Sequence, residues 1–134
     1  MLASAATIVR VSLHVLGAAL WVGGQLVLGG LVPTLRRSAP ETLSAVARQF
    51  GRLAWPGYVL LLGTGVWNVV AAGNGTETSA WKAVLSAKMA VVVLSGVAAF
   101  VHQRARSRAA IAVWGSLAGT SALAAMVLGV ALSG

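Results

Sequence analysis

Residues 109–132, AAIAVWGSLAGTSALAAMVLGVAL, run for twenty-four positions without one charged side chain. A helix rising about 1.5 Å per residue needs about 20 apolar residues to cross the roughly 30 Å hydrocarbon core of a bilayer. This stretch meets that length and has no polar face to offer water. Three more apolar runs precede it, at about 5–32, 53–72 and 80–101. Their polar interruptions are few: Arg10, His14 and Gln25 in the first, Asn68 near the end of the second, and Lys88 in the third. A membrane barrel would need at least about eight alternating strands of about ten residues, and the chain is too short for that. The expected fold is therefore all-α: an integral membrane, up-down four-helix bundle forming a single domain over residues 1–134, with its last helix at about 109–132.

The composition agrees. Of 134 residues, 58% are hydrophobic and only 9% charged, where a soluble domain carries about a quarter. Mean hydropathy is +0.88. Cysteine is absent, which excludes disulfides, thiolate metal sites and thiol nucleophiles. The only acids are Glu41 and Glu77, so hydrolysis by paired carboxylates is excluded. There is no phosphate-cradling glycine loop and no HExxH motif, and redox chemistry would have to come from a bound cofactor. The first run is too long for a signal peptide and lacks a clear small-x-small cleavage site, so it reads as a retained helix.

Ten basic residues give a net charge of +8. They sit between apolar runs rather than on one face, so they read as topology signals, and no nucleic-acid partner is expected. Arg36, Arg37, Arg48 and Arg52 fall in the first connection, and Arg104, Arg106 and Arg108 in the third, together seven of the ten. The excess of Lys and Arg on cytoplasmic loops then places those two connections in the cytoplasm and both termini outside, in a plasma (inner) membrane. Trp55 and Trp81 read as interfacial aromatics at helix ends. In the first connection, Ser38 with Glu41 three positions on matches a capping box. Leu43, Val46, Ala47 and Phe50 follow at helical spacing, predicting a short amphipathic cytoplasmic helix between helices 1 and 2, lying on membrane lipids. The second connection, from Gly73 to Thr78, reads as a Gly/Asn turn, with Thr78 or Ser79 capping the third helix. Gly115 and Gly119 form a GxxxG pair suited to close helix packing.

Ionisable residues inside a membrane are expensive and point to function. Arg10, His14, Trp21 and Gln25 fall on one stripe of the first helix, with Gly17 and Gly24 along or beside it. Counting inward from the outer face places His14 and Lys88 at comparable depth. Arg10, His14 and Lys88 are thus expected at one level in the outer half, with Asn68, Trp67 and Met126 able to join them. A neutral imidazole there is a ligand for copper or haem iron. For copper the pair with most to offer is His14 and the thioether of Met126, since soft Cu(I) prefers such donors, whereas His102 lies at the cytoplasmic end. For haem b, His14 would be the axial ligand, with the basic residues near the propionates. The plain alternative is a histidine that only hydrogen-bonds across the bundle, in an accessory membrane subunit without a ligand.

His14-Val-Leu-Gly-Ala-Ala-Leu-Trp21-Val-Gly-Gly24, followed by Leu31-Val-Pro-Thr-Leu-Arg36, resembles the first helix of the CopD copper-resistance domain family. Phe50-Gly-Arg52, running on to Gly63-Thr64-Gly65-Val66-Trp67-Asn68, is similar to that family's next helix with its Thr-Gly turn. Leu85-Ser-Ala-Lys88, ending at His102-Gln-Arg104, resembles its lysine-bearing third helix. The resemblance implies a multi-helix inner-membrane protein of copper uptake or homeostasis, and the compact four-helix form favours a homodimer. A weaker similarity, to the HemJ-type protoporphyrinogen oxidases, places His14 and Lys88 at positions which that family associates with haem. Val32-Pro33-Thr34 stands where that family carries a basic-aromatic run.

Overall fold

A computed structural model describes residues 2–73 and 77–133. The chain is 91% helical, and no strand occurs among the described residues. Four helices are long and apolar enough to cross a membrane: Ala5–Ser38, Pro40–Ala72, Ser79–Arg104 and Arg108–Ala131. The chain divides into two compact units, Met1–Gly73 and Asn74–Gly134.

Local chemistry sets the helix ends. The Ser4 hydroxyl accepts the Thr7 N–H at 3.2 Å and starts the first helix, satisfying one of the donors left over at a helix start. That helix ends at Ser38 because Ala39 precedes Pro40. The proline ring disfavours helical backbone in the residue before it, and Ala39 stands at φ −152°, ψ 58°. Pro40 then opens the second helix, where its missing N–H costs nothing. Gly73 closes that helix at φ +77°, a left-handed conformation that glycine adopts without steric cost. Thr78 caps the third helix by accepting the Trp81 N–H at 3.1 Å, as the sequence predicts. The rest of the expected turn, residues 74–76, lies outside the described residues. Ser107 caps the fourth helix through the Ala110 N–H at 3.1 Å.

Several expectations are corrected. The first helix runs to Ser38 rather than to about residue 32, and contains one π turn, Ala19–Gly23. The amphipathic stretch is no separate surface helix. Leu43, Val46, Ala47 and Phe50 belong to one continuous helix, Pro40–Ala72. After Pro40 the segment through Ala54 holds no further proline, so nothing stops the winding before the apolar run. Phe50 turns to the first helix, where its ring covers Gly24 so closely that a methyl group there would stand 2.5 Å from it. Ser38 is no N-cap either: the break falls one residue later, and its hydroxyl donates back to the Thr34 carbonyl at 2.9 Å. Trp55 and the Gly63-Thr64-Gly65 segment lie inside the second helix rather than at its end or in a turn.

Each unit is an antiparallel helical hairpin. In the first, Gly17 lies against the backbone of Gly57 and Leu61. One turn on, Trp21 is 3% exposed, its ring centroid 4.3 Å from Tyr58 and 5.3 Å from Trp55. Aromatic pairs at such tilted geometry add to plain apolar burial. The second hairpin is built on small residues. Ser95, Gly96 and Ala98 bury on one helix, Ala118, Ser121, Ala122 and Ala125 on the other. Ser95 donates across to the Ala118 carbonyl at 3.0 Å. Small side chains let the two backbones approach, which is how helices associate where no hydrophobic force separates protein from lipid.

Candidate functional site in the first hairpin

The polar residues of the first hairpin form a two-rung ladder. Arg10 and His14 are one turn apart on the first helix, Thr64 and Asn68 one turn apart on the second. Because the helices are antiparallel, both rungs close. Arg10 donates from Nη1 to Asn68 Oδ1, and His14 Nδ1 lies 2.9 Å from the Thr64 hydroxyl.

The proton on the lower rung can be assigned. Thr64 has one hydroxyl hydrogen, and its Oγ1 lies 2.7 Å from the Leu60 carbonyl, which can only accept. With its hydrogen on that carbonyl, Thr64 accepts from His14 Nδ1–H. Thr64 is buried and His14 half-buried. Gly65 leaves ordinary room beside the ring: a methyl group there would meet His14 Cε1 at 3.6 Å. Thr64 carries this geometry, yet sequence reasoning gave it no site role. Its signal was present in the repeated spacing of four, Arg10/His14 against Thr64/Asn68, on two helices expected to run antiparallel. Gln25, also on the expected stripe, turns back along its own helix and donates to the Trp21 carbonyl at 3.0 Å.

Lys88 belongs to the second hairpin. Ser95 faces Ala118, so Lys88, seven residues earlier, is level with Ala125. Its ammonium, however, lies against Gly129, where an added methyl group would stand 3.0 Å from Nζ. The side chain thus climbs one turn toward the end of the fourth helix, a snorkelling path that also brings the cation to the carbonyl-rich helix terminus. Met126 and Met89 are both largely exposed on this hairpin. His102 Nδ1 lies 2.8 Å from the Ile111 carbonyl. That carbonyl can only accept, so Nδ1 donates, and the ring covers Gly115. Gly119, the other half of the GxxxG pair, has nothing within 4 Å of an added methyl group. Glu77 pairs with Lys82 at 3.9 Å.

Of the residues singled out from the sequence, Arg10, His14 and Asn68 come together in the first unit, while Lys88 and Met126 belong to the second. Trp67 is largely exposed. Among the described residues, no three His, Cys, Asp or Glu side chains gather as a metal-binding group. The donor set of the first hairpin is one imidazole, hydrogen-bonded to the Thr64 hydroxyl. Comparison of the chain with family models, with curated proteins and with solved structures finds no match.

Proposed function

We propose that the chain is a multi-pass protein of the plasma membrane that handles copper, with the His14 imidazole as ligand and both termini outside. Four membrane-length apolar helices support the membrane part of this reading. The resemblance of residues 14–36 and 50–68 to the CopD domain supplies the choice of metal. The observation that carries the ligand role is the His14–Thr64 contact at 2.9 Å. Thr64 accepts the Nδ1–H and so orients the ring. In Cu(I) chemistry neutral imidazole is a suitable donor. Transport tolerates a site of few ligands, because the ion must also leave.

One observation favours a second reading, a b-type haem protein with a redox role. A single oriented imidazole suffices as an axial ligand, since the macrocycle brings its own equatorial nitrogens, and no larger donor group gathers among the described residues. Arg10, one turn from His14 on the same helix, would then serve a propionate.

One preparation tests both. The full chain is purified from membranes, loaded with Cu(I) under reducing conditions, and assayed for metal content and for a Soret band. Stoichiometric copper that is lost in His14→Ala supports the first reading. A Soret band lost in the same variant supports the second. Copper content and spectrum both unchanged by His14→Ala would overturn both and leave an accessory membrane subunit.

A further inference from the structure

We propose that Arg10 and Asn68 form an oxyanion site at the membrane surface, built for a phosphate group supplied by a lipid headgroup or by free phosphate. The inference goes beyond the copper reading, which leaves Arg10 without a role.

The first argument is charge. Arg10 is permanently cationic, and it lies on a helix long and apolar enough to cross a membrane. Its partner, Asn68, is neutral. Glu41 is the only acid in residues 1–73, and it stands twenty-seven residues before Asn68 on the same continuous helix. That is about 40 Å along the axis, so this carboxylate cannot neutralise the guanidinium.

The second argument is donor chemistry. A guanidinium carries five N–H donors and no acceptor. Because Asn68 Oδ1 accepts from Arg10, the amide is fixed with its Nδ2 as donor. The rung therefore presents hydrogen-bond donors from both residues, and their natural complement is an oxygen-rich anion. The planar guanidinium fork suits phosphate in a two-point contact.

The third argument is depth. Arg10 lies five residues from the start of the first helix and Asn68 four from the end of the second, about 6–8 Å in from the helix ends. Both residues are half-buried rather than sealed. On a helix of 34 residues, longer than the roughly 30 Å hydrocarbon core requires, a group this close to the end is within reach of a lipid phosphate and of a soluble phosphate ion.

The test is thermal unfolding of the full chain in a non-ionic detergent, followed by circular dichroism. Phosphatidylglycerol or inorganic phosphate is titrated in at constant ionic strength. The native chain is expected to show a saturable rise in midpoint. Arg10→Gln should weaken the apparent affinity by about ten-fold or more, with Arg10→Lys recovering part of it because it restores the charge but not the fork. Asn68→Asp guards against a folding defect in the Arg10 variants: it sets a carboxylate beside Arg10, so the chain should keep its fold and lose its response to the anion. A response to phosphatidylglycerol alone assigns the site to lipid, and a response to inorganic phosphate assigns it to a soluble anion. No saturable rise with either, or an equal rise in the native chain, Arg10→Gln and Asn68→Asp, overturns the proposal.

Discussion

Gly17 rests directly on the backbone of the second helix: a methyl group added to it would stand 2.9 Å from the Gly57 carbonyl oxygen and 2.9 Å from the Leu61 nitrogen. Neither atom can move without shifting the helix that carries it. Gly57 in turn receives the Leu20 side chain, 2.8 Å from an added methyl group. The contact lies one turn from His14 and one turn from Trp21, so it sets the distance at which the ladder and the aromatic cluster both close.

Gly17→Ala is therefore expected to pry the first hairpin apart, at a cost of about 1–3 kcal/mol for overpacking. Gly29→Ala is the matched control. It is also helical, but nothing lies within 4 Å of its added methyl group, and alanine gains up to about 1 kcal/mol of helix propensity. Thermal melts in detergent should place Gly17→Ala below the native chain and Gly29→Ala at or above it. Equal midpoints for the two variants would mean that the close approach is not rigid.

Thr64 should matter to His14 through one hydrogen bond. Thr64→Val keeps the shape but removes the acceptor of the Nδ1–H, whereas Thr64→Ser keeps it. Loss of a group that orients a metal-bound histidine typically weakens affinity by about 10–100-fold. The valine variant is expected to show that loss in a Cu(I) or haem titration while melting near the native temperature, and the serine variant to stay near native affinity. Equal affinity in all three would remove Thr64 from the site.

The four long helices were legible because a helix apolar enough to cross lipid stands out as a long run with little charge, and residues 109–132 carry none. The ends were less legible. Apolar composition records where lipid begins, not where a helix stops, so residues 33–38 read as connection although they are helical, and the helix expected through Leu43 to Phe50 read as separate although it continues into the second long helix. Pro40 was the true punctuation, through its effect on Ala39. The π turn at Ala19–Gly23 was invisible because a stripe drawn at a constant turn per residue cannot register an extra residue within one turn. His14 and Arg10 were found because charge stands out in an apolar run. Thr64 was missed because a threonine does not, and only its pairing across the hairpin gives it a role.

Lys88 and Gly129 form a second testable pair. The ammonium reaches the end of the hairpin only because Gly129 has no side chain in its way. Gly129→Val should close that path and hold the charge deeper, where the translocon scale sets the cost of a lysine at about 2.5–3.5 kcal/mol. Lys88→Met alone should melt at or above the native temperature, since it removes the charge and keeps the length. The double variant should recover what Gly129→Val loses, which is the signature of coupling between contacting residues. Additive effects would show that Nζ does not use this route in the folded protein.

The basic residues give the last prediction, which concerns direction rather than stability. Arg36 and Arg37 occupy the last turn of the first helix and Arg104 the last turn of the third. Arg48 and Arg52 lie in the early part of the second helix, and Arg106 and Arg108 beside the start of the fourth. The proposed topology, with helices crossing in alternation, puts all seven on one side, which the positive-inside bias would make cytoplasmic. A periplasm-active phosphatase fused after residue 134 should be active, and a fluorescent protein that matures only in the cytoplasm should stay dark at the same position. Replacing Arg104, Arg106 and Arg108 by serine while adding three lysines after residue 134 should weaken or reverse that pattern, because the bias acts through short segments close to helix ends. A fluorescent carboxy-terminal fusion on the native chain would place both termini in the cytoplasm. The Arg10–Asn68 rung would then face the cytoplasmic leaflet, without any change in the hydrogen bonds that form it.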